Sequence, residues 1–503
     1  MTLKQNAYSG RHSYPKYHSG MLLVQVRPLR QPVRTMTMTV AARDGVPEEL
    51  PVGMAALAFY ERAGLLKRVV PLARTGERTA GEEAMVGRAP GFRAAAAVMA
   101  TAPAGGAARP DAGLSMIELQ RDQDTDALRQ ALANDPTVEN VSKVPVRYLL
   151  APRRRSAKRA ASAGAGIARA APASPLWNLE KIRWAQARAL PGFSDATSTK
   201  VAVLDTGIDV AHPDLQGRIT HYVHEHPDLP TASSPQDIVG HGTHVAGTIA
   251  ANINNNLGIN GICACELNIW KIFDDIPDPD LDPPARPTEF VYFVEPIMYR
   301  RALIDCHDRG VAVVNLSIGG PEKPDFVEEQ AFSRLVSAGT TIVAAMGNER
   351  QEGNIISYPA AIPGVIAVGA TGISDRVASF SNRGNHISIC APGVAIWSTL
   401  PGTPGQFGFE AIDDGAGNFR QGKPSRRETD YDAWDGTSMA SPHVAAAAAL
   451  YLANGGSPGG TAVRDSLART ADKVPGMGGG SFHPDYGYGR LNLEALLRRA
   501  RQG

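Results

Sequence analysis

Residues 201–215 read VAVLDTGIDVAHPDL. Val201–Leu204 form an unbroken apolar run, short enough to be a strand, and the run delivers Asp205 at its end. A strand that is apolar at every position is buried on both faces, which is the habit of parallel sheets. Four other runs share this character: LNIWKIF (267–273), VAVVNLSI (311–318), TIVAAM (341–346) and VIAVGA (365–370), with helical stretches between them. The pattern predicts an α/β fold, a mostly parallel sheet with helices on both faces. In such sheets the chemistry gathers beyond the carboxyl ends of the strands.

The chemistry-bearing residues fall at those ends. Asp205 closes one strand, and GHGTHVAGTIAA (240–251) puts His241 at the start of a helical run. TIVAAMGN ends on Gly347-Asn348, and WDGTSMASPH (434–443) puts Ser438 at the doorstep of an Ala-rich helix. A serine hydroxyl is a poor nucleophile at neutral pH and needs a base. Histidine supplies one, and a carboxylate fixes its tautomer. An Asn amide and a main-chain N–H at a helix start are suitable donors to an oxyanion. Asp205, His241 and Ser438 are therefore the candidate triad, and Asn348 the candidate oxyanion donor. The Asp-Thr-Gly at 205–207 also suits an aspartic peptidase, but that chemistry needs a second carboxylate, and no other Asp-Thr-Gly or Asp-Ser-Gly occurs.

Around this core the chain divides by composition. Its 503 residues suggest about three domains. With 43% hydrophobic and 20% charged residues, a large core is within reach. A net charge of +1 gives no argument for nucleic acid. Four cysteines are too few for a disulfide framework and read as small buried residues. No apolar run approaches a membrane span, and no partner membrane is expected. Residues 1–20 are polar, with no apolar leader core, so as written the chain is expected to stay in the cytoplasm where it is made.

Residues 1–20 are expected to be a flexible tail, and 21–150 a small α+β domain. In that domain MLLVQV (21–26) and LSMIELQ (114–120) read as strands, and 51–66 as a helix. A second helix is capped by Thr125, carries Leu128, Ala131 and Leu132, and stops at Pro136. Val144–Leu150 alternates as a strand, and 91–112 is Ala/Gly/Pro-rich and loose. Residues 151–176 form a basic linker holding Arg153, Arg154, Arg155, Lys158, Arg159 and Arg169 without one acid. No aromatic residue is interleaved for base stacking, so it reads as a solvated, protease-accessible tether. Residues 177–503 form the main domain. In it, His244 reads as a packed residue rather than a metal ligand, since no Glu completes a zinc motif. His221, His224 and His226 read as an exposed loop.

Residues 177–493 resemble the catalytic domain of the subtilisin family of serine peptidases. The blocks that carry the resemblance are VAVLDTGIDVAHPDL, GHGTHVAGTIA, NLSIGGP, AAMGNE, APGVAIWSTLPG, DGTSMASPHVA and GYGRLN, in family order. The resemblance implies that Asp205 orients, His241 is base and acid, Ser438 attacks and Asn348 donates to the oxyanion. It implies a substrate-binding edge at Ser317, Ile318 and Gly319, and a pocket wall at Ala345, Met346 and Gly347. Ser357 falls near the pocket base, and Glu349 stands at its rim, where it favours a cationic side chain. The chemistry requires no cofactor or catalytic metal. A structural calcium site is implied near Asp214 and residues 253–259, but its N-terminal ligand has no match around Ala173-Ser174. Residues 273–290 and 402–433 are longer than in compact members and lie near the cleft mouth.

The small N-terminal domain resembles the family's propeptide. The expectation is a serine endopeptidase made as a zymogen. It would act on protein or peptide substrates, its own N-terminal domain would inhibit it, and a cut would fall between Ala151 and Leu176. The alternatives are a silent peptide-binding relative, or an active protease with a permanent regulatory domain.

Overall fold

The computed structural model describes residues 15–27, 37–41, 47–72, 113–150, 153–154, 175–226, 229–280, 286–416 and 418–502. The proposed tail at 1–14, the loose stretch 91–112 and most of the basic linker lie outside the described residues.

Two compact units are present, the smaller built mainly from Lys16–Val146 and the larger from Arg147 onward. In the smaller unit four antiparallel strands pair in the order Leu66–Pro71, Leu114–Leu119, Tyr17–Val26, Val138–Pro145. Helices Val52–Arg62 and Thr125–Ala133 alternate with these strands, so a β-α-β unit occurs twice. One apolar cluster joins Leu22, Val24, Leu57, Ile117, Leu128 and Leu132.

Three local expectations need correction. The first strand begins at Tyr17, inside the segment expected to be tail. Asp124, not Thr125, is the N-cap of the second helix, and the Thr125 hydroxyl bonds back to Asp122 Oδ1 at 3.2 Å. The alternating run 144–150 is not one strand. It ends at Pro145, and Tyr148–Leu149 forms a separate strand within the larger unit.

The larger unit is organised by a seven-stranded sheet in the order Ile219–Val223, Glu266–Lys271, Lys200–Asp205, Val313–Leu316, Thr341–Ala345, Val365–Thr371, Ile387–Pro392. Every pairing in it is parallel. The central strands are buried throughout, as unbroken apolar runs require. The Ala-rich helix Thr437–Ala453 is buried along almost its whole length, its small side chains allowing close approach to the sheet. All four cysteines are free and buried. No helix among the described residues is long and apolar enough to cross a membrane.

The two long segments flagged as insertions meet. Strands Asp278–Pro279, Glu289–Val291, Gln406–Asp413 and Phe419–Arg426 pair antiparallel in that order as one four-stranded sheet. The His-rich stretch is not an exposed loop. His221 lies in the edge strand with its ring 5.0 Å from that of Trp270, and His226 is buried 3.5 Å from Glu295 Oε1.

Candidate active site

Asp205 ends the strand Lys200–Asp205, and His241 opens the helix His241–Ala250. Both side chains are fully buried, and His241 Nδ1 lies 2.7 Å from Asp205 Oδ1. The carboxylate also accepts the Thr206 N–H at 2.7 Å. An imidazole held this way through Nδ1 presents its other nitrogen to the site. His241 Nε2 is buried and has no hydrogen-bond partner among the described residues.

The loop that delivers His241 is braced by a residue that motif reading missed. Asp237 is 2% exposed. Its Oδ1 accepts from the Thr206 hydroxyl and the Gly240 N–H, both at 2.8 Å. Its Oδ2 accepts from the Thr243 N–H at 2.9 Å and the Thr243 hydroxyl at 2.7 Å. The Thr206 oxygen in turn accepts the Gly242 N–H at 2.9 Å. Asp237 thus satisfies orphan donors at the helix start and ties both flanks of His241 to the residue after Asp205.

A second brace comes from the 402–433 segment. The buried Arg427 guanidinium donates to the carbonyls of Ile238 (2.9 Å), Asp237 (3.2 Å), Pro401 (3.2 Å) and Glu428 (3.0 Å). Gly240 has φ +84°, and a Cβ there would stand 2.8 Å from Arg427 Cδ, so only glycine suits this turn.

Ser438 is the second residue of the helix Thr437–Ala453. Of the N–H groups that open the helix, that of Met439 goes to the Gly436 carbonyl at 3.1 Å, and that of Ser438 lies beside the nucleophile's own side chain. Asn348 is fixed through its oxygen, which accepts the Thr437 N–H at 2.9 Å and the Thr437 hydroxyl at 2.8 Å. Its amide nitrogen is thereby aimed across the nucleophile. Trp434, fully buried, stacks on His244 with ring centroids 4.6 Å apart and planes 2° apart, and lies 6.3 Å from the His241 ring. Burial pushes His244 down to about 3, so it stays neutral as a packing residue with Nε2 on the Ile396 carbonyl.

Residues 147–150 run through this constellation. The Leu150 carbonyl oxygen lies 3.1 Å from Ser438 Oγ and 3.3 Å from Asn348 Nδ2. Ser438 Oγ is also 3.2 Å from the Ser317 carbonyl. Leu149 pairs antiparallel with Ile318, and Tyr148 with Gly319. Tyr148 is bridged on its other side by Phe293. Beyond the site, Arg153 and Arg154 pair antiparallel with Asp435 and Trp434, just ahead of the nucleophile.

Of the expected edge residues, Ile318 and Gly319 thus lie against Leu149 and Tyr148, and Ser317 precedes them beside Ser438. Of the expected pocket wall, Ala345 ends its strand and is buried. Gly347 donates its N–H to the Thr437 hydroxyl at 3.2 Å. Met346 is fully buried, its methyl carbon 3.6 Å from where a Cβ on Gly384 would stand. Glu349 differs from expectation. Burial raises its carboxyl, Asn382 Nδ2 donates to it at 2.8 Å, and the Tyr148 hydroxyl lies 3.5 Å away. It serves as a hydrogen-bond acceptor for polar neighbours rather than a free anion at the rim.

The Asp214 carboxylate accepts from Asn255 Nδ2 (2.5 Å), the Ile259 N–H (3.1 Å) and the Tyr431 hydroxyl (3.0 Å). Three donors already meet this carboxylate, so a cation bound there would have to displace them. No group of three or more His, Cys, Asp or Glu side chains placed to hold a metal occurs among the described residues.

Comparison with known proteins identifies the family. The Subtilase family model matches residues 196–489. Subtilisin E of Bacillus subtilis is 35% identical over 306 residues, 60% of this chain and 66% of its own length. Subtilisin of Bacillus pumilus is 35% identical over 306 residues, 92% of its length. Subtilisin Savinase of Lederbergia lenta is 35% identical over 325 residues, 98% of its length. Among solved structures, fervidolysin from Fervidobacterium pennivorans, a keratinolytic enzyme related to subtilisin, superposes with a TM-score of 0.57 at 23% identity, covering 97% of this chain and 62% of its own, a likeness of fold. The chain spans just under two thirds of the length of subtilisin E, and the family match alone takes in more than half of the chain. An Asp-His pair at 2.7 Å, a serine at a helix start and an anchored Asn amide thus stand on a parallel sheet whose sequence matches one family, and the chain belongs to the subtilase family.

Proposed function

We propose that this protein is a serine endopeptidase, made as a zymogen, that cuts its own chain after Leu150. The observation that carries the reading is the Leu150 carbonyl, held between Ser438 Oγ and Asn348 Nδ2 at 3.1 and 3.3 Å. In this reading Ser438 Oγ exchanges its carbonyl partners for His241 Nε2, gives up its proton there and attacks the Leu150 carbonyl carbon. The charge that develops on oxygen is met by Asn348 and the Ser438 main-chain N–H. His241 then passes the proton to the Ala151 nitrogen as the bond breaks, while Asp205 steadies the imidazolium. Water repeats the cycle on the acyl-enzyme. No cofactor enters these steps.

The register refines the expected processing site, since the bond after Leu150 is the one presented to the nucleophile. Residues 147–150 then remain as a product in the substrate edge, which supports inhibition by the N-terminal segment until it is degraded. Expression of wild type and Ser438→Ala, followed by N-terminal sequencing, tests the proposal. Wild type should yield a fragment starting at Ala151, and the variant should stay full length. Equal processing of the variant would assign the cut to another protease. Folded wild type that a fluorophosphonate fails to label would favour a silent peptide binder.

A further inference from the structure

We propose that the site selects substrates with arginine fourth and leucine first before the cleaved bond, the pattern Arg-x-x-Leu of residues 147–150. The inference rests on the peptidase reading and adds a substrate class to it.

Main-chain pairing fixes the register. The segment is bounded by Ile318–Gly319 on one side and by Phe293–Val294 on the other, the Val294 N–H donating to the Arg147 carbonyl at 3.0 Å. Such pairing is blind to side chains, so discrimination falls to the pockets. Two of these residues are almost wholly enclosed, Arg147 at 2% exposure and Leu150 at 1%.

Arg147 is among the largest fully buried side chains of the protein. Taking a guanidinium out of water costs several kcal/mol unless acceptors meet it. Here its Nη1 donates to the Glu322 carbonyl at 3.0 Å. A main-chain carbonyl facing the pocket favours an occupant that can donate to it over an apolar one. Lysine offers a point charge rather than a planar fork and suits the site less well.

The Leu150 pocket is bounded in size. A Cβ on Gly319 would stand 2.6 Å from Leu150 Cδ2 and 2.7 Å from Ser357 Oγ. The leucine therefore occupies space that exists only because residue 319 is glycine, and Ser357 closes the same space from beyond. At 1% exposure the leucine sheds its water here, and a shorter side chain gives up that burial.

The test uses the full chain after self-processing and quenched fluorescent peptides spanning the sequence of residues 146–153. The parent peptide should be cut between Leu and Ala. Replacing its arginine by Ala or Leu should lower kcat/KM about tenfold or more, with Lys intermediate, and replacing its first-position leucine by Ala should lower it by a similar factor. Ala or Leu equal to or better than Arg, with casein still hydrolysed, would overturn the selectivity and leave the peptidase standing. Cleavage of the parent at another bond would overturn the register. Failure to hydrolyse casein and every peptide would overturn both readings together.

Discussion

Asp237→Asn is the substitution that asks most of the site's architecture. It is nearly isosteric and touches none of the reacting atoms. Four donors converge on the carboxylate, and two of them, the N–H groups of Gly240 and Thr243, cannot turn round. Each is bound by a different oxygen. Whichever way an amide is placed, its NH2 faces one of those N–H groups. A buried hydrogen bond to a charged group contributes about 1.5–3 kcal/mol, and the displaced N–H is left unsatisfied. The expected loss is about 2–4 kcal/mol, read by urea unfolding in a Ser438→Ala background that suppresses self-digestion. Because Gly240 and Thr243 flank His241, a shift of the imidazole follows, and misplacement of about 1 Å costs about 10²-fold in rate. With Ser438 intact, kcat/KM should fall about 10–100-fold. A loss below about 0.5 kcal/mol with kcat/KM within twofold of wild type would refute the bracing argument.

Asn348→Ala should lower kcat by about 10²–10³-fold, a magnitude known from a subtilisin, with KM little changed; a pure KM effect would make Asn348 a substrate-binding residue instead. Glu289 stands directly opposite Glu410 across a strand pair, and burial, with Asp280 and Glu410, pushes its carboxyl up to about 7. A raised carboxylate favours the folded state fully below its unfolded value of about 4.3 and loses that contribution as pH rises through 7. Glu289→Gln should therefore stabilise the protein by about 1 kcal/mol at pH 8, after allowance for solvent screening, and change little near pH 4.5; equal urea midpoints at pH 8 would contradict this. Neither EDTA nor millimolar calcium should move the unfolding temperature through the Asp214 site, whereas a micromolar site would add about 4 kcal/mol at a thousandfold excess of ion.

Much of this was legible in the chain itself, for physical reasons. Strands buried on both faces carry no alternation to misread, so the runs ending at Asp205 and Ala345 stood out. Asp205, His241, Asn348 and Ser438 sit in short Gly-rich blocks where sheet meets helix, and the structure pairs Asp205 with His241 and brings Asn348 and Ser438 to one carbonyl. The edge strand Ile219–Val223 escaped because one side of it faces water and its histidines look like a loop. Asp237 escaped because its role is tertiary: its partners are a threonine just past the strand Lys200–Asp205 and a helix start, and SSPQDIVG has no period that announces either. The unit boundary fell at Val146 rather than Leu150 because Pro145 ends one ladder and Ile318–Gly319 offers another.

The shared sheet of the two long segments has a consequence for inheritance. Glu289–Val291 hydrogen-bonds to Gln406–Asp413, and Arg427, at the foot of the second hairpin, holds the turn before His241. Neither segment is then a free ornament. Deleting the 402–433 hairpin would bare the edge of Glu289–Val291, an invitation to pair with other chains, and would strip the histidine loop of its brace. Trimming the 273–290 segment would leave the hairpin without its neighbour. A lineage or an engineer shortening this protein toward a compact relative must take both away in one step and refit the turn at Gly240. The pair is a single heritable unit written in two places.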